Sequence, residues 1–229
     1  RIQLLMKLGG ILVDAKRFEE SESTFRKLAD ESDSPLVQNN LAYVIGVYQN
    51  RPEEGLIIAK KAAMKAPREP SIVDTVATMY QRLGEYDQAA KAFDFLLQLD
   101  PANSKAMAKI SLLYSDKLGE PERGLVFAER GRSQNPRSSE VLDAIGWSYY
   151  WMGKNEKAEE SIRRSLRLGD TMEAYLHLAQ IVTDDQEFDE ALGHIRMAQE
   201  LAQDTFSMKR IQALKDDIRK KKAETRVSE

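Results

Sequence analysis

Apolar residues recur along this chain at the spacing of amphipathic helices, in blocks of about a dozen residues separated by short polar turns. Two of these turns are residues 83–87 (LGEYD) and 152–156 (MGKNE). A block with helical periodicity buries one face, so two consecutive blocks joined by a short turn predict a helix hairpin. The pattern predicts an all-α chain built from helix pairs.

The same pattern returns with a period of about 34 residues, which is the mark of a repeat protein. Seven positions of one hairpin match seven positions of an earlier one. The later set is Leu142, Ile145, Gly146, Tyr149, Gly153, Ala158 and Ile162, and the earlier set is Val73, Val76, Ala77, Tyr80, Gly84, Ala89 and Phe93. Six units follow from this spacing: 2–34, 35–69, 70–103, 104–138, 139–171 and 172–205. A further helix is predicted at 206–223 and a tail at 224–229.

This spacing resembles the tetratricopeptide repeat, over nearly the whole chain. The resemblance implies a right-handed α-solenoid of six hairpins plus a C-terminal capping helix, forming a single domain over residues 1–224. Some units depart from the family pattern. The second and fourth units each carry one extra residue, Asp170 replaces the closing proline of the fifth, and Gln186 stands at the turn glycine of the sixth.

Small residues recur where neighbouring helices must approach closely, and we expect them to be buried. On the first helices these are Ala42, Ala77, Ser111, Gly146 and Ala179, and on the second helices Gly55, Ala89, Gly124, Ala158 and Ala191. Proline cannot continue an α-helix and disfavours helix in the residue before it. Pro67, Pro101 and Pro136 are therefore predicted to end second helices.

Composition narrows the functional classes further. The net charge of −3 gives no general reason to expect nucleic acid as a partner. The chain has no cysteine, which excludes disulfides and thiolate chemistry. No apolar run approaches the roughly 20 residues that span a bilayer. Because the chain begins with Arg1, we interpret it as a fragment, and a cytoplasmic or a periplasmic location is compatible with it.

The sequence contains no recognisable catalytic or metal-binding pattern. His177 and His194 fall on different predicted helices and lack metal-ligand spacing, so we expect structural or solvent-facing roles. The pair Gly9-Gly10 has no phosphate-loop context, and the acidic pairs at 184–185 and 216–217 have no calcium-loop spacing. We therefore predict a protein that is not an enzyme and that needs no metal and no cofactor.

The resemblance also implies where a partner binds, since in this family the first helices line a concave groove that holds peptides or partner helices. The expected groove residues are Asn39, Tyr43, Asp74, Thr78, Lys105, Lys109, Leu112, Asp143, Trp147, Tyr150 and Trp151. The three aromatics near position 150 exceed what the core requires and are candidate anchors. Packing of Trp147 against the next hairpin is an equal alternative. The two lysines lie one helical turn apart and suit an acidic group, although ordinary surface lysines would look the same.

Some family members hold the C-terminal carboxylate of chaperones in a clamp of lysine, asparagine and arginine. The matching positions here are Met6, Gly10, Asn40, Ser71 and Thr75, of which only Asn40 agrees, so that role is not expected. The runs 39–43 (NNLAY), 59–62 (AKKA) and 74–77 (DTVA) are similar to bacterial tetratricopeptide proteins of cell envelopes and exopolysaccharide export. The resemblance implies a protein-binding scaffold. The alternative is a structural spacer that self-associates through its terminal repeats.

Overall fold

The computed structural model describes residues 2–228, and the side chains of residues 2–225. Within that range the chain forms thirteen α-helices and no strand. Their bounds are α1 Ile2–Asp14, α2 Phe18–Glu31, α3 Pro35–Tyr43, α4 Pro52–Lys65, α5 Pro70–Arg82, α6 Tyr86–Leu99, α7 Ser104–Leu112, α8 Pro121–Gln134, α9 Ser139–Trp151, α10 Asn155–Leu168, α11 Met172–Asp184, α12 Phe188–Leu201 and α13 Thr205–Ser228. Two π-helical turns, Val44–Tyr48 and Leu113–Lys117, continue α3 and α7.

The first twelve helices form six hairpins, which confirms the predicted all-α fold of stacked helix pairs. First helices pack on their own second helices and, as α3 does on α5 and α7 does on α9, on the first helix of the next hairpin. The capping helix, expected at 206–223, spans Thr205–Ser228 and includes most of the expected tail. The last residue of that tail, 229, lies outside the described residues.

Local sequence sets the helix ends. Proline occupies the first turn of α3, α4, α5 and α8. Its missing N–H costs no hydrogen bond there, because N–H groups of the first turn have no acceptor within the helix. The side chains of Asn103, Ser138 and Thr171 accept hydrogen bonds from backbone N–H groups at the starts of α7, α9 and α11. The second helices α4, α6 and α8 end just before their closing prolines, as predicted.

Each hairpin turns through one residue in the left-handed conformation. Glycine fills this position in the third, fourth and fifth hairpins, where φ is between 68° and 76°. In the other three hairpins the position is held by residues other than glycine, namely Lys16, Asn50 and Gln186. The predicted equivalence of Gln186 with the turn glycines is confirmed by its φ of 65°.

The predicted small positions are buried at close helix contacts. A Cβ added to Gly146 would lie 2.8 Å from the carbonyl oxygen of Ala158 and 2.5 Å from Ile162 Cγ1. One added to Gly55 would lie 2.8 Å from Gly46 Cα. Because backbone atoms lie this close, any larger residue would have to push the two helices apart.

The extra residues of the second and fourth repeats are accommodated by the two π-helical turns. In regular repeats the left-handed residue lies seven positions after the small residue of the first helix, as Gly84 does after Ala77. In the two long units that separation is eight, from Ala42 to Asn50 and from Ser111 to Gly119. A π-helical turn accommodates one additional residue without ending the helix, so the hairpin geometry is preserved.

Above the level of the repeats, the chain divides into two compact units. Unit 1 comprises Arg1–Pro101 with Gln203–Thr205, and unit 2 comprises Ala102–Ala202 with Phe206–Glu229. The largest fully buried side chains of unit 1 include Leu28, Ile72 and Phe93, and those of unit 2 include Ile110, Ile162 and Leu178.

Helix α13 covers the last hairpin of unit 2. Its Ile211 and Ile218 are fully buried in the core formed with α11 and α12. The Arg210 guanidinium donates two hydrogen bonds, of 2.7 and 2.9 Å, to the Glu173 carboxylate at the start of α11. Lys221 lies 3.8 Å from Asp184 at the end of α11. The two helices therefore run parallel, and α13 takes the place of the first helix of a further hairpin.

Candidate functional site

In unit 2 the first helices α7, α9 and α11 share one surface, which we call the first-helix face. Neighbouring helices are tied together there by side chains. Lys105 of α7 lies 3.8 Å from Glu140 of α9, and Tyr150 of α9 donates a hydrogen bond of 2.7 Å to Asp184 of α11. All seven predicted partner-binding residues of unit 2 lie on α7 and α9.

An aromatic stack forms the centre of the first-helix face. The ring of Trp147 lies between those of Tyr150 and His177, with centroid distances of 4.7 and 3.9 Å and nearly parallel planes. His177 Nδ1 donates to Asp143 Oδ1 at 2.8 Å, in a buried contact between α9 and α11. The Tyr150 hydroxyl donates to Asp184, and burial together with that carboxylate raises the pKa of Tyr150. The stack is therefore held at both ends.

Burial separates supporting residues from accessible ones. Trp147 is 7% exposed and stacks on Tyr150 and His177, and Asp143 is 2% exposed with its carboxylate bonded to His177, so both side chains are already used within the fold. This corrects the expectation that both lie on the groove surface, and the packing alternative for Trp147 is the one observed. Leu112 likewise packs against the core of unit 2. The expected structural role of His177 agrees with its stacked, buried position.

Trp151 is the accessible member of the aromatic group, at 46% exposure. Its ring meets those of Trp147 and Tyr150 edge to face, at 5.9 and 5.7 Å. Such contacts orient the indole without covering it. Lys105 is also exposed, but its acidic neighbour Glu140 reduces the positive charge that this surface offers to an acidic ligand.

In unit 1 the predicted residues Asn39, Tyr43 and Asp74 line one cavity of about 470 Å³. Thr78 lies one helical turn beyond Asp74 and is half-buried. The five positions compared with the chaperone clamp also line this cavity, and none of them carries a basic side chain.

Two residues of this cavity were missed by sequence reasoning, Asp14 and Tyr48. Asp14 is the last residue of α1, and Tyr48 ends the π-helical turn. In a regular α-helix Tyr48 would lie on a different face. The sequence feature that could have indicated its true position is the extra residue of the second repeat, which is 35 residues long.

The described part of the chain contains neither a candidate metal site nor a candidate membrane-spanning helix. No cluster of three or more histidine or acidic side chains suited to a metal ion occurs among those residues. None of the helices formed by the described residues has the length and apolar character required to cross a membrane.

Comparison with known proteins identifies the repeat. Residues 144–205 match the family model described as Tetratricopeptide repeat. A TPR repeat-containing protein of Pseudomonas aeruginosa is 22% identical over 171 residues, covering 74% of this chain and 29% of that protein. Cellulose synthase operon protein C of Pseudomonas fluorescens is 24% identical over 201 residues, covering 80% of this chain and 15% of that protein. The chain thus spans less than a third of the length of these relatives.

A solved structure agrees with these matches. The thermophilic TPR protein TTC0263 of Thermus thermophilus superposes with a TM-score of 0.68 at 22% identity, covering 79% of this chain and 98% of that one. The six hairpins, the turn residues and the sequence matches together support a tetratricopeptide repeat protein with bacterial relatives.

Proposed function

We propose that this protein is a non-catalytic scaffold that binds a peptide segment or helix of another protein in the concave groove formed by its first helices. Tetratricopeptide repeat proteins bind other proteins and are generally not catalysts, which supports the general class. The groove, its residues and the partner are part of the proposal.

The observation that carries the proposal is the exposed indole of Trp151 on a rigid aromatic base. The rings beneath it are fixed by stacking and by hydrogen bonds at both ends of the stack. An aromatic side chain already held in place loses little conformational entropy on binding. Tryptophan is also enriched among the residues that dominate binding energy at interfaces.

The test is capture of partners from a lysate of the source organism by the wild-type chain and by Trp151→Ala, followed by affinity measurement on each captured protein. We expect Trp151→Ala to weaken binding by about 2 kcal/mol, or roughly thirtyfold, as for an interface hot spot. Circular dichroism should show unchanged helicity because the side chain is half exposed.

Phe95→Ala is the matched control, since Phe95 is an exposed aromatic, at 37%, on the second helix α6. It should bind partners like the wild type. Equal binding by wild type and Trp151→Ala would contradict the proposed site. Trp147→Ala is unsuitable as a test, because removing a buried tryptophan costs about 3–5 kcal/mol of stability by itself.

One observation favours a second candidate, self-association through the first repeat. The outer face of α1 exposes Leu4, Leu8 and Ile11, at 71%, 42% and 61%. An apolar stripe of this kind is typical of an interaction surface. Sedimentation equilibrium separates the two candidates, because self-association gives a mass that rises with protein concentration and that Leu4→Ser/Ile11→Ser lowers to the monomer value.

A further inference from the structure

The cavity of unit 1 has the size of a ligand site. Its volume is about 470 Å³, within the roughly 300–1,000 Å³ of typical ligand pockets. Helices α1, α2, α3 and α5 and the π-helical turn Val44–Tyr48 form its walls. The chemistry of the lining is set mainly by Asp14, Asn39, Tyr43, Tyr48 and Asp74.

Asn39 supplies a hydrogen-bond acceptor that the folded chain does not use. The residue is 6% exposed, and it lines the cavity. Among the described residues, none hydrogen-bonds its side-chain oxygen Oδ1. A buried amide oxygen without a donor costs roughly 1–3 kcal/mol. A ligand that brings a donor into the cavity would remove this cost.

The charges that line the cavity are negative. Asp14 and Asp74 contribute carboxylates, and no lysine or arginine is among the described residues of its wall. Arg82 is a nearby cation whose charge affects the pKa of Tyr43. Its guanidinium lies 3.4 Å from the Asp204 carboxylate within the same unit. Burial, and then the charge of Asp74, raises the pKa of Tyr43. The cavity is therefore an environment that favours a cation.

Aromatic rings provide the other part of the wall. The rings of Tyr43 and Tyr48 meet edge to face at 5.6 Å, and Phe18 stacks on Tyr48 at 4.9 Å. These contacts fix the rings, whose faces attract organic cations such as ammonium and guanidinium groups. Aromatic walls suit such cations better than a metal ion, which requires several oxygen ligands at short distance.

We propose that the cavity of unit 1 binds a basic side chain, that of a lysine or an arginine, from the partner segment. The cation would lie between the carboxylates of Asp14 and Asp74 and against the tyrosine rings, and donate a hydrogen bond to Asn39. This inference rests on the proposed function, to which it adds the chemistry of one partner residue.

The test is an NMR titration of the ¹⁵N-labelled 229-residue chain with small probes. The probes are N-acetyl-arginine methylamide, N-acetyl-lysine methylamide and the neutral N-acetyl-citrulline methylamide, which has nearly the shape of the arginine probe. We expect at least one basic probe to shift the amide signals of Asn39, Tyr43 and Asp74. The citrulline probe should bind about tenfold more weakly, because it lacks the charge that strengthens these contacts. The stronger basic probe identifies the preferred cation.

Two variants assign the binding to the carboxylates. Asp74→Asn keeps the side-chain shape, and Asp14→Asn changes an exposed residue. Each should weaken the basic probe about tenfold, as loss of a charge-assisted contact does. Asp87→Asn is the control, since Asp87 is an exposed aspartate of the same unit on α6, and it should bind like the wild type.

The outcomes separate this inference from the proposed function. Equal shifts with arginine and citrulline probes, or no shift in the cavity with either basic probe, would overturn the cation site while partner capture through Trp151 stands. Failure of partner capture with intact probe binding would leave the cation site and remove the scaffold proposal for the first-helix face of unit 2.

Discussion

Three hairpins turn through residues other than glycine in the left-handed conformation. A side chain with a Cβ clashes with the backbone in this region, at a cost of roughly 1–2 kcal/mol. Asparagine tolerates the region better than most residues, so Asn50 is the least strained of the three. Lysine and glutamine lack this tolerance, so Lys16 and Gln186 are expected to lower the stability of the fold relative to glycine at the same positions.

We expect Gln186→Gly to raise the free energy of unfolding of unit 2 by about 1 kcal/mol, part of the strain being offset by the greater freedom of glycine in the unfolded chain. Urea denaturation followed by tryptophan fluorescence measures this directly. Gly153→Ala, at the same position of the preceding hairpin, should lower the free energy by a similar amount. A destabilising effect of Gln186→Gly would show that the glutamine side chain has a stabilising role.

At the level of elements, the two π-helical turns are the main departure from a regular repeat. Each absorbs one extra residue while the left-handed turn and the close helix contacts are kept. The turn at Val44–Tyr48 also brings Tyr48 into the cavity of unit 1. The turn at Leu113–Lys117 contains Ser115, whose hydroxyl lies 2.9 Å from that of Ser148 on α9. The insertions therefore alter which side chains face neighbouring helices.

A deletion tests whether the extra residue is structurally dispensable. Removing the exposed Lys117 gives the fourth unit the regular spacing, so we expect the π-helical turn to become α-helical. The free energy of unfolding should fall by about 1 kcal/mol, the net contribution of a hydrogen bond such as that between Ser115 and Ser148, which the rewound turn displaces. Circular dichroism and chemical denaturation measure helicity and stability.

Deletion of Gln81 from the regular helix α5 is the control. No extra residue is available there, so the deletion moves buried side chains out of register and should cost about 3 kcal/mol or more. An equal loss of stability from the two deletions would show that the π-helical turn does not accommodate an extra residue.

For the whole molecule, the two units differ in how their terminal helices are covered. In unit 2, α13 packs its apolar residues on the last hairpin and presents lysines and arginines outward. In unit 1, α1 leaves an apolar stripe exposed. Repeat arrays unfold from weak ends when neighbour contacts are few. Unit 2 is therefore expected to be the more stable unit.

Both tryptophans lie in unit 2, which allows its unfolding to be followed alone. We expect the urea midpoint from tryptophan fluorescence to exceed the midpoint from circular dichroism, because the latter reports on helices of both units. Coincident midpoints would instead indicate one cooperative domain over residues 1–224, as the sequence predicts.

The helix-pair fold was determined by the sequence itself. Apolar periodicity, turn residues such as Gly84 and closing prolines such as Pro101 act locally, so the hairpins could be predicted without the structure. Only the tertiary structure decided which groove residues are accessible. Trp147 and Trp151 are one helical turn apart on α9, yet His177 from the next hairpin covers the first and leaves the second exposed. In the cavity of unit 1, likewise, helices α1 and α5 and a π-helical turn bring Asp14, Asp74 and Tyr48 together. Burial depends on what a neighbouring element places against a residue, and that information is not local in the chain.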